Sequence, residues 1–353
     1  MKYLFKTLII VLILKGTISF AQDAKYEIMD KSFTPNNKQT MLEIANNFGN
    51  VNLAVWDKNS ISVKITLEVE GYDENESKKI LEKIDLNTSQ TGSLISIKTT
   101  LKSHSNTSFR KKSFKINYEI NLPDGHPLSV TNEFGNIFLT DYSGNTRINL
   151  EYGNLTAGSL GTLNLTHEFG KAEIESISSG EFELSYIDEF ALSKADLLDL
   201  EGEFSKIKIG DITTINFDVE YGQLNIETVS NYKGSAEFSE INIDKVYSNF
   251  DLDAEYASGT IDVKFVSKDI ESFQLNTEFS KSEIKMEGGA NLRFDTKHSF
   301  GKLTTEGSNI SFSKKMKDMS DEEYEGTIGG NANQNSTVLR IKTSYGGCKL
   351  IAN

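Results

Sequence analysis

The sequence predicts an all-β fold: a single-stranded parallel β-solenoid, or β-helix, with ~17–18-residue repeats and a strand-rich N-terminal cap carrying one short helix. Three observations predict it. First, an acidic residue followed by an aromatic and then Gly or Ser recurs as Glu133-Phe134-Gly135, Glu151-Tyr152-Gly153, Glu168-Phe169-Gly170, Glu203-Phe204-Ser205, Glu220-Tyr221-Gly222 and Glu237-Phe238-Ser239, and ends as Glu255-Tyr256-Ala257. Tyr186 fills the one gap without its Glu, so the aromatics advance by 17 or 18 residues throughout. A fixed period this short is one supersecondary unit stacked on itself. Second, apolar residues fall two, four and six positions before the aromatic (Val219, Phe217 and Ile215 before Tyr221) and three, five and eight after it (Leu224, Ile226 and Val229). Even spacing marks a strand with one buried face, and the shift of parity after the aromatic marks a bend. Third, the 353 residues include only 3 prolines, which suits ladders that need every backbone N–H.

The elements follow in chain order. Residues 1–21 read as an export signal, with Lys2 and Lys6 before a short apolar core and Ser19-Phe20-Ala21 as the small-x-small cleavage pattern. The apolar run is interrupted by Lys15 and falls short of the roughly 18 residues that span a bilayer. Residues 22–40 read as a polar leader. Residues 41–127 read as the strand-rich cap, in which Ile80, Leu81 and Ile84 have helical spacing among Glu and Lys. Residues 128–310 are the solenoid repeats, residues 311–337 an exposed charged and Asn-rich loop, and residues 338–353 the terminal strands. A coil of one repeat stacks matching strands about 4.8 Å apart. The strict alternation of Phe and Tyr leaves a coil of about 35 residues as the alternative.

The formal charge is −14, and loss of Lys2, Lys6 and Lys15 with the signal takes it to −17. An acidic surface of this kind repels nucleic acid and anionic lipid. Cys348 is the only cysteine, so an internal disulfide is excluded, and its spacing suits a small buried residue in the last strand.

No catalytic, cofactor or metal constellation stands out. The candidate ligand face is the glutamate column Glu151, Glu168, Glu203, Glu220, Glu237 and Glu255, with Glu133 before it. These side chains are expected to point outward, about 5 Å apart, with Lys171 and Lys206 relieving their repulsion. Two unit charges at that distance repel by only roughly 0.8 kcal/mol in water, so a hydrated column is tolerable. Retaining glycoside chemistry needs two carboxylates in different environments, which a ladder of equivalent ones does not offer. The aromatics share parity with the buried Leu and Ile and are expected inside, which argues against a sugar-stacking surface. His167 and His298 hold equivalent positions two before a Phe and are expected inward; His104 and His126 fall in loops. Residues 102–112 form the one concentrated basic stretch after the signal.

Leu42-Glu43 through Phe48-Gly49-Asn50, the following Val55-Trp56-Asp57, the charged helix near residues 74–84, the aromatic-Gly repeats, and Tyr324-Glu325-Gly326-Thr327-Ile328-Gly329 with Lys342-Thr343-Ser344-Tyr345-Gly346 together resemble the bacterial putative-adhesin β-strand-repeat domain family of unknown function. The resemblance spans most of the mature chain and implies an exported, envelope-associated β-helix, periplasmic or at the cell surface. It brings no catalytic residues. The expected function is a non-enzymatic binding or structural module of the cell envelope, with protein or glycan partners, no nucleic acid and no transmembrane segment after signal cleavage. The alternatives are an accessory or sensor protein of an envelope-stress system, and a carbohydrate-active β-helix enzyme with a groove near Asp188-Glu189 or in residues 314–334.

Overall fold

A computed structural model describes residues 24–102 and 113–352. The export signal and residues 103–112 of the basic stretch, with His104, lie outside the described residues. The described residues open with β1 (Ala24–Phe33), β2 (Met41–Phe48), β3 (Val51–Trp56), β4 (Ile61–Glu70), α1 (Glu74–Lys83), β5 (Ile84–Thr91), β6 (Leu94–Leu101), β7 (Ser113–Pro123), β8 (Leu128–Phe134) and β9 (Ile137–Leu139). Long strands β10 (Thr146–Glu203), β11 (Lys206–Glu220), β12 (Gln223–Glu237) and β13 (Glu240–Glu255) carry the regular repeats. The chain closes with β14 (Thr260–Val266), β15 (Ser272–Glu278), β16 (Lys281–Met286), β17 (Leu292–Ser299), β18 (Lys302–Glu306), β19 (Ile310–Asp318), β20 (Asp321–Ile328), β21 (Val338–Ser344) and β22 (Gly347–Ile351).

Among the described residues the architecture is all-β and solenoid-like, with one helix and mostly parallel pairing. Glu203 stands beside Glu220, Glu220 beside Glu237 and Glu237 beside Glu255, so neighbouring partners are 17 or 18 residues apart. Between Phe204 and Tyr221 the buried apolar residues are Ile207, Ile209, Ile212, Ile215, Phe217 and Val219. They advance by two along straight runs and by three at bends, as a coil wrapped around its own apolar filling requires. The interior stacks like on like: Tyr232, Phe250 and Phe273 lie ring over ring, at 5.0 and 4.6 Å between centroids.

Several boundaries differ from the sequence reading. Most of the polar leader is β1, which pairs antiparallel with β4 and carries Lys25, Glu27 and, past a bulge, Asp30 on its exposed side. Charge on one face hides a strand that has little apolar alternation. Within the region read as cap, β2 and β3 pair in parallel with β8 and β9, so residues 41–56 are part of the parallel stack. The region read as an exposed loop contains a hairpin instead. In it β20 pairs antiparallel with both β17 and β19, burying Tyr324, Gly326 and Ile328 in alternation. Helix α1 begins at a capping box in which Asp73 accepts from the Glu76 N–H at 2.8 Å and Glu76 accepts from the Asp73 N–H at 3.0 Å.

Cys348 is 1% exposed in β22, and burial pushes its thiol up to about 11. A thiol attacks as its thiolate, so native Cys348 is expected to react with a disulfide reagent at neutral pH at least a hundredfold more slowly than in urea-unfolded chain. Stopped-flow thiol titration in the two states checks this; equal rates would place Cys348 at the surface.

Candidate binding surface

Each corner is built from the aromatic outward. The aromatic residues from Tyr152 to Tyr256, and Phe279, Phe300 and Tyr345 after them, all have positive φ of 48–55°. A left-handed residue turns its side chain out of the strand's alternation, which corrects the expectation of an internal ladder. The rings lie outside. Phe134, Tyr152, Phe169, Tyr186, Phe204, Tyr221, Phe238, Tyr256, Phe279, Phe300 and Tyr345 are 37–62% exposed. The corner tyrosine hydroxyls therefore need no partners inside the coil.

These rings form one continuous stack that begins at Phe48. Its centroids are 4.7–5.4 Å apart and its planes within 14° of one another, over eleven contacts spanning roughly 55 Å. Left-handed φ costs an L-residue about 1–2 kcal/mol. A stacked aromatic pair returns about 0.5–1.5 kcal/mol beyond the area it covers, so stacking together with half-burial outweighs the backbone term. Because the ring faces cover one another, the surface presented to solvent is ring edges and tyrosine hydroxyls.

Behind the rings, a polar column holds the corners closed. Asn132 donates to the Gly49 and Gly135 carbonyls at 3.0 and 2.8 Å, and His167 Nε2 lies 3.0 Å from the Gly153 carbonyl. Where Ser replaces Gly, its hydroxyl takes over: Ser205 Oγ accepts from the Ile187 N–H, Ser239 Oγ from Gly222 and Ser280 Oγ from Ala257, at 2.9–3.1 Å. The corner N–H groups of Phe204, Tyr221, Phe238 and Tyr256 each donate 3.0 Å to the carbonyl of the acidic residue one coil on.

The glutamates that precede the corner aromatics lie beside the rings. Glu151, Glu203, Glu220, Glu237 and Glu255 are exposed, and Glu133 and Glu168 are half-buried. Register joins Glu203, Glu220, Glu237, Glu255 and Glu278 side by side. Glu133 accepts from Asn47 Nδ2 at 2.6 Å. Lys171 does not relieve the column; it bridges to Glu189 at 3.4 Å on the far side of the corner. Among the described residues no group of three or more His, Cys, Asp or Glu is arranged to hold a metal ion. The sequence thus reveals the column and the ring period, but not that both face solvent together.

His126, His167 and His298 are all buried, at 0–2% exposed. His298 Nδ1 lies 2.7 Å from Thr343 Oγ1, and burial pushes the imidazole down to about 4 against the pull of Glu322. Burial lowers His167 as well, opposed by its contact with the Gly153 carbonyl. His298 is therefore neutral when folded down to about pH 4, whereas an unfolded imidazole titrates near 6.5. The unfolded chain binds the extra proton first, so this contribution is complete above about pH 6.5 and is lost as pH falls toward about 4, by on the order of 3 kcal/mol at His298. Urea unfolding at pH 7 and 4.5 is expected to show a smaller acid loss in His298→Asn than in the parent. Asn46 and Asn132 already occupy the same corner position, so Asn fits there. An unchanged loss would remove His298 from the account.

Fold and surface together define an extended parallel β coil that displays one repeated corner along its length. No protein-family model matches the sequence, and no curated protein matches it. Solved structures similar to it include a putative cell adhesion protein from Clostridium sporogenes (12% identity, covering 94% of this chain and 100% of that one, TM-score 0.20). A putative lipid binding protein from Parabacteroides distasonis aligns at 12% identity, covering 93% of this chain and 96% of that one, with a TM-score of 0.33. A putative adhesin from Bacteroides fragilis aligns at 9% identity over 93% and 97% of the two chains, with a TM-score of 0.24. These similarities carry no weight for a substrate or ligand. No helix among the described residues is long and apolar enough to cross a membrane.

Proposed function

We propose that this chain is an exported, adhesin-like binding or structural module of the cell envelope, that it is not an enzyme, and that the corner ladder with its glutamate column is its contact surface for an envelope protein or glycan. The observation that carries the reading is the exposed ring stack. Rings of 150–250 Å² that are about half exposed, repeated along the whole ladder, present roughly 1,000 Å² of aromatic surface in one strip. Monomeric soluble proteins rarely expose contiguous apolar patches beyond about 300–600 Å², and larger ones mark interaction sites. The strip is also periodic, which suits a long or repeating partner better than a small ligand. Against catalysis stands the equivalence of Glu203, Glu220, Glu237 and Glu255, which share one register position. Acid–base chemistry needs carboxylates in contrasting environments.

The test is capture from solubilised bacterial envelope by tagged residues 22–353. Two variants run beside it: Phe204→Asn with Tyr221→Asn and Phe238→Asn, and Glu203, Glu220, Glu237 and Glu255 all changed to Gln. Asn tolerates the left-handed corner, so the first variant removes rings and keeps the bend. A protein or glycan held by the parent and lost by the ring variant supports the reading. Retention by both variants moves binding away from the corners and contradicts it. Loss in the Gln variant alone would leave the column as the site without the rings.

A further inference from the structure

Phe279 and Phe300 are successive corners in sequence but not in space: Tyr345 lies between them, 4.8 Å from each ring. The last strands of the chain are a rung slid between two coils made earlier. β21 pairs in parallel with β15 on one side and β17 on the other, and β22 does the same with β16 and β18. Register matches on both sides, with Ile341 between Leu275 and Thr296, and Cys348 between Ser282 and Leu303. The flanking coils are therefore complementary to each other as well as to the rung. Without it, Phe273 would meet Phe294 and Phe279 would meet Phe300.

Two further features set this slot apart. Its lining is more polar than the regular coils. Thr277, Thr296 and Nε2 of His298 are buried there without hydrogen-bond partners; their columns hold Leu200, Leu252, Val219 and Ala254 in the preceding coils, and polar Asn132 and His167 only nearer the start of the stack. Buried hydroxyls left unpaired weaken the packing around them. The connection from β20 to β21, residues 329–337, is rich in Gly and Asn; its middle bonds to itself, as in Asn333 N–H to Ser336 Oγ at 3.1 Å and Asn335 N–H to Asn333 Oδ1 at 2.9 Å, and it is tied to the coils through Gly329, Asn331 and Thr337. Extended, its nine residues reach roughly 30 Å, enough to leave one coil stack for another.

We infer that the C-terminal rung, residues 338–351, is a separable insert, and that the slot between the corners of Phe279 and Phe300 is a strand-acceptor site that takes the same rung from a second copy of this chain. The slot selects a strand–corner–strand segment with Leu339, Ile341, Tyr345 and Leu350 in register. It also demands glycine at 346, where a Cβ would run into the Ser280 carbonyl oxygen. Exchange of an identical element between copies needs no new contact.

Cys348 makes the test direct, since it is the only thiol and lies within the rung. In the full-length protein its labelling is expected to proceed by local opening, with weak dependence on urea and faster than amide exchange in residues 206–255. Tyr345→Ala removes two ring contacts and should speed labelling about tenfold while leaving exchange in those coils unchanged. Two full-length preparations carrying different tags, mixed at high concentration and then diluted, should yield mixed pairs that co-purify, and Gly346→Val should prevent them. Labelling of Cys348 only at the rate of global unfolding would overturn the proposal. So would local opening without mixed pairs.

Discussion

Gly153→Val is expected to destabilise the chain by about 3–5 kcal/mol. A Cβ at Gly153 would meet the Gly135 carbonyl oxygen of the coil before, with the Gly135 carbonyl carbon 2.8 Å away. Both are backbone atoms whose positions are fixed by the ladder, so they cannot rotate aside as a side chain would. Relief requires the coils to part locally, which also separates Leu150, Leu155 and the ring pair Phe134–Tyr152 from their neighbours. Forced overpacking of a close-packed interior costs about 1–3 kcal/mol, and lost ladder bonds add to it. Gly92 supplies the control. It has φ +57° and nothing within 4 Å of an added Cβ, so Gly92→Ala should cost only about 1 kcal/mol, from backbone strain alone. Urea unfolding followed by circular dichroism separates the two; equal costs would mean that corner crowding is not what glycine relieves.

Removal of three consecutive rings, Phe204→Asn with Tyr221→Asn and Phe238→Asn, is expected to cost about 3–6 kcal/mol and yet leave a folded coil. The four contacts that run from Tyr186 to Tyr256 are lost, each with centroids 5.0 Å apart. At about 0.5–1.5 kcal/mol per contact, stacking alone accounts for most of the loss. The interior residues Ile207, Ile226 and Ile243 are untouched, so the far-ultraviolet spectrum should be retained while the urea midpoint falls. A variant as stable as the parent would show that the stack contributes nothing and that the rings are kept at the surface for contact alone.

The period, the strand parity and the glutamate column are legible because they are local and repeated. Val219, Phe217 and Ile215 announce a buried face, and the structure buries each of them. The direction of the aromatics is not legible in the same way. Parity assigns Tyr221 inward, but its φ of 52° reverses the side chain, and the sequence carries that information only in the Gly or Ser that follows and must fit the corner. The Phe/Tyr alternation is accommodated because both rings stack equally at the surface. The long step from Phe300 to Tyr345 marks loss of regularity; that Tyr345 then returns between two earlier rings is a long-range choice that no window of sequence contains. The β19–β20 hairpin was hidden by charge, since Lys314 and Lys317 pair across it with Glu323 and Glu322 at 2.9 and 2.7 Å.

Tyrosine footprinting by mass spectrometry reads out whether the corner rings face solvent and meet the ligand. In the free protein Tyr152, Tyr186, Tyr221, Tyr256 and Tyr345, which are 43–52% exposed, should be modified fast, and Tyr118, Tyr142 and Tyr232, which are 0–2% exposed, slowly. Addition of the captured envelope component should protect the first group along the length of the ladder and leave the second unchanged. Corner tyrosines that resist modification in the free chain, or remain fully reactive in the complex, would contradict a solvent-facing contact surface.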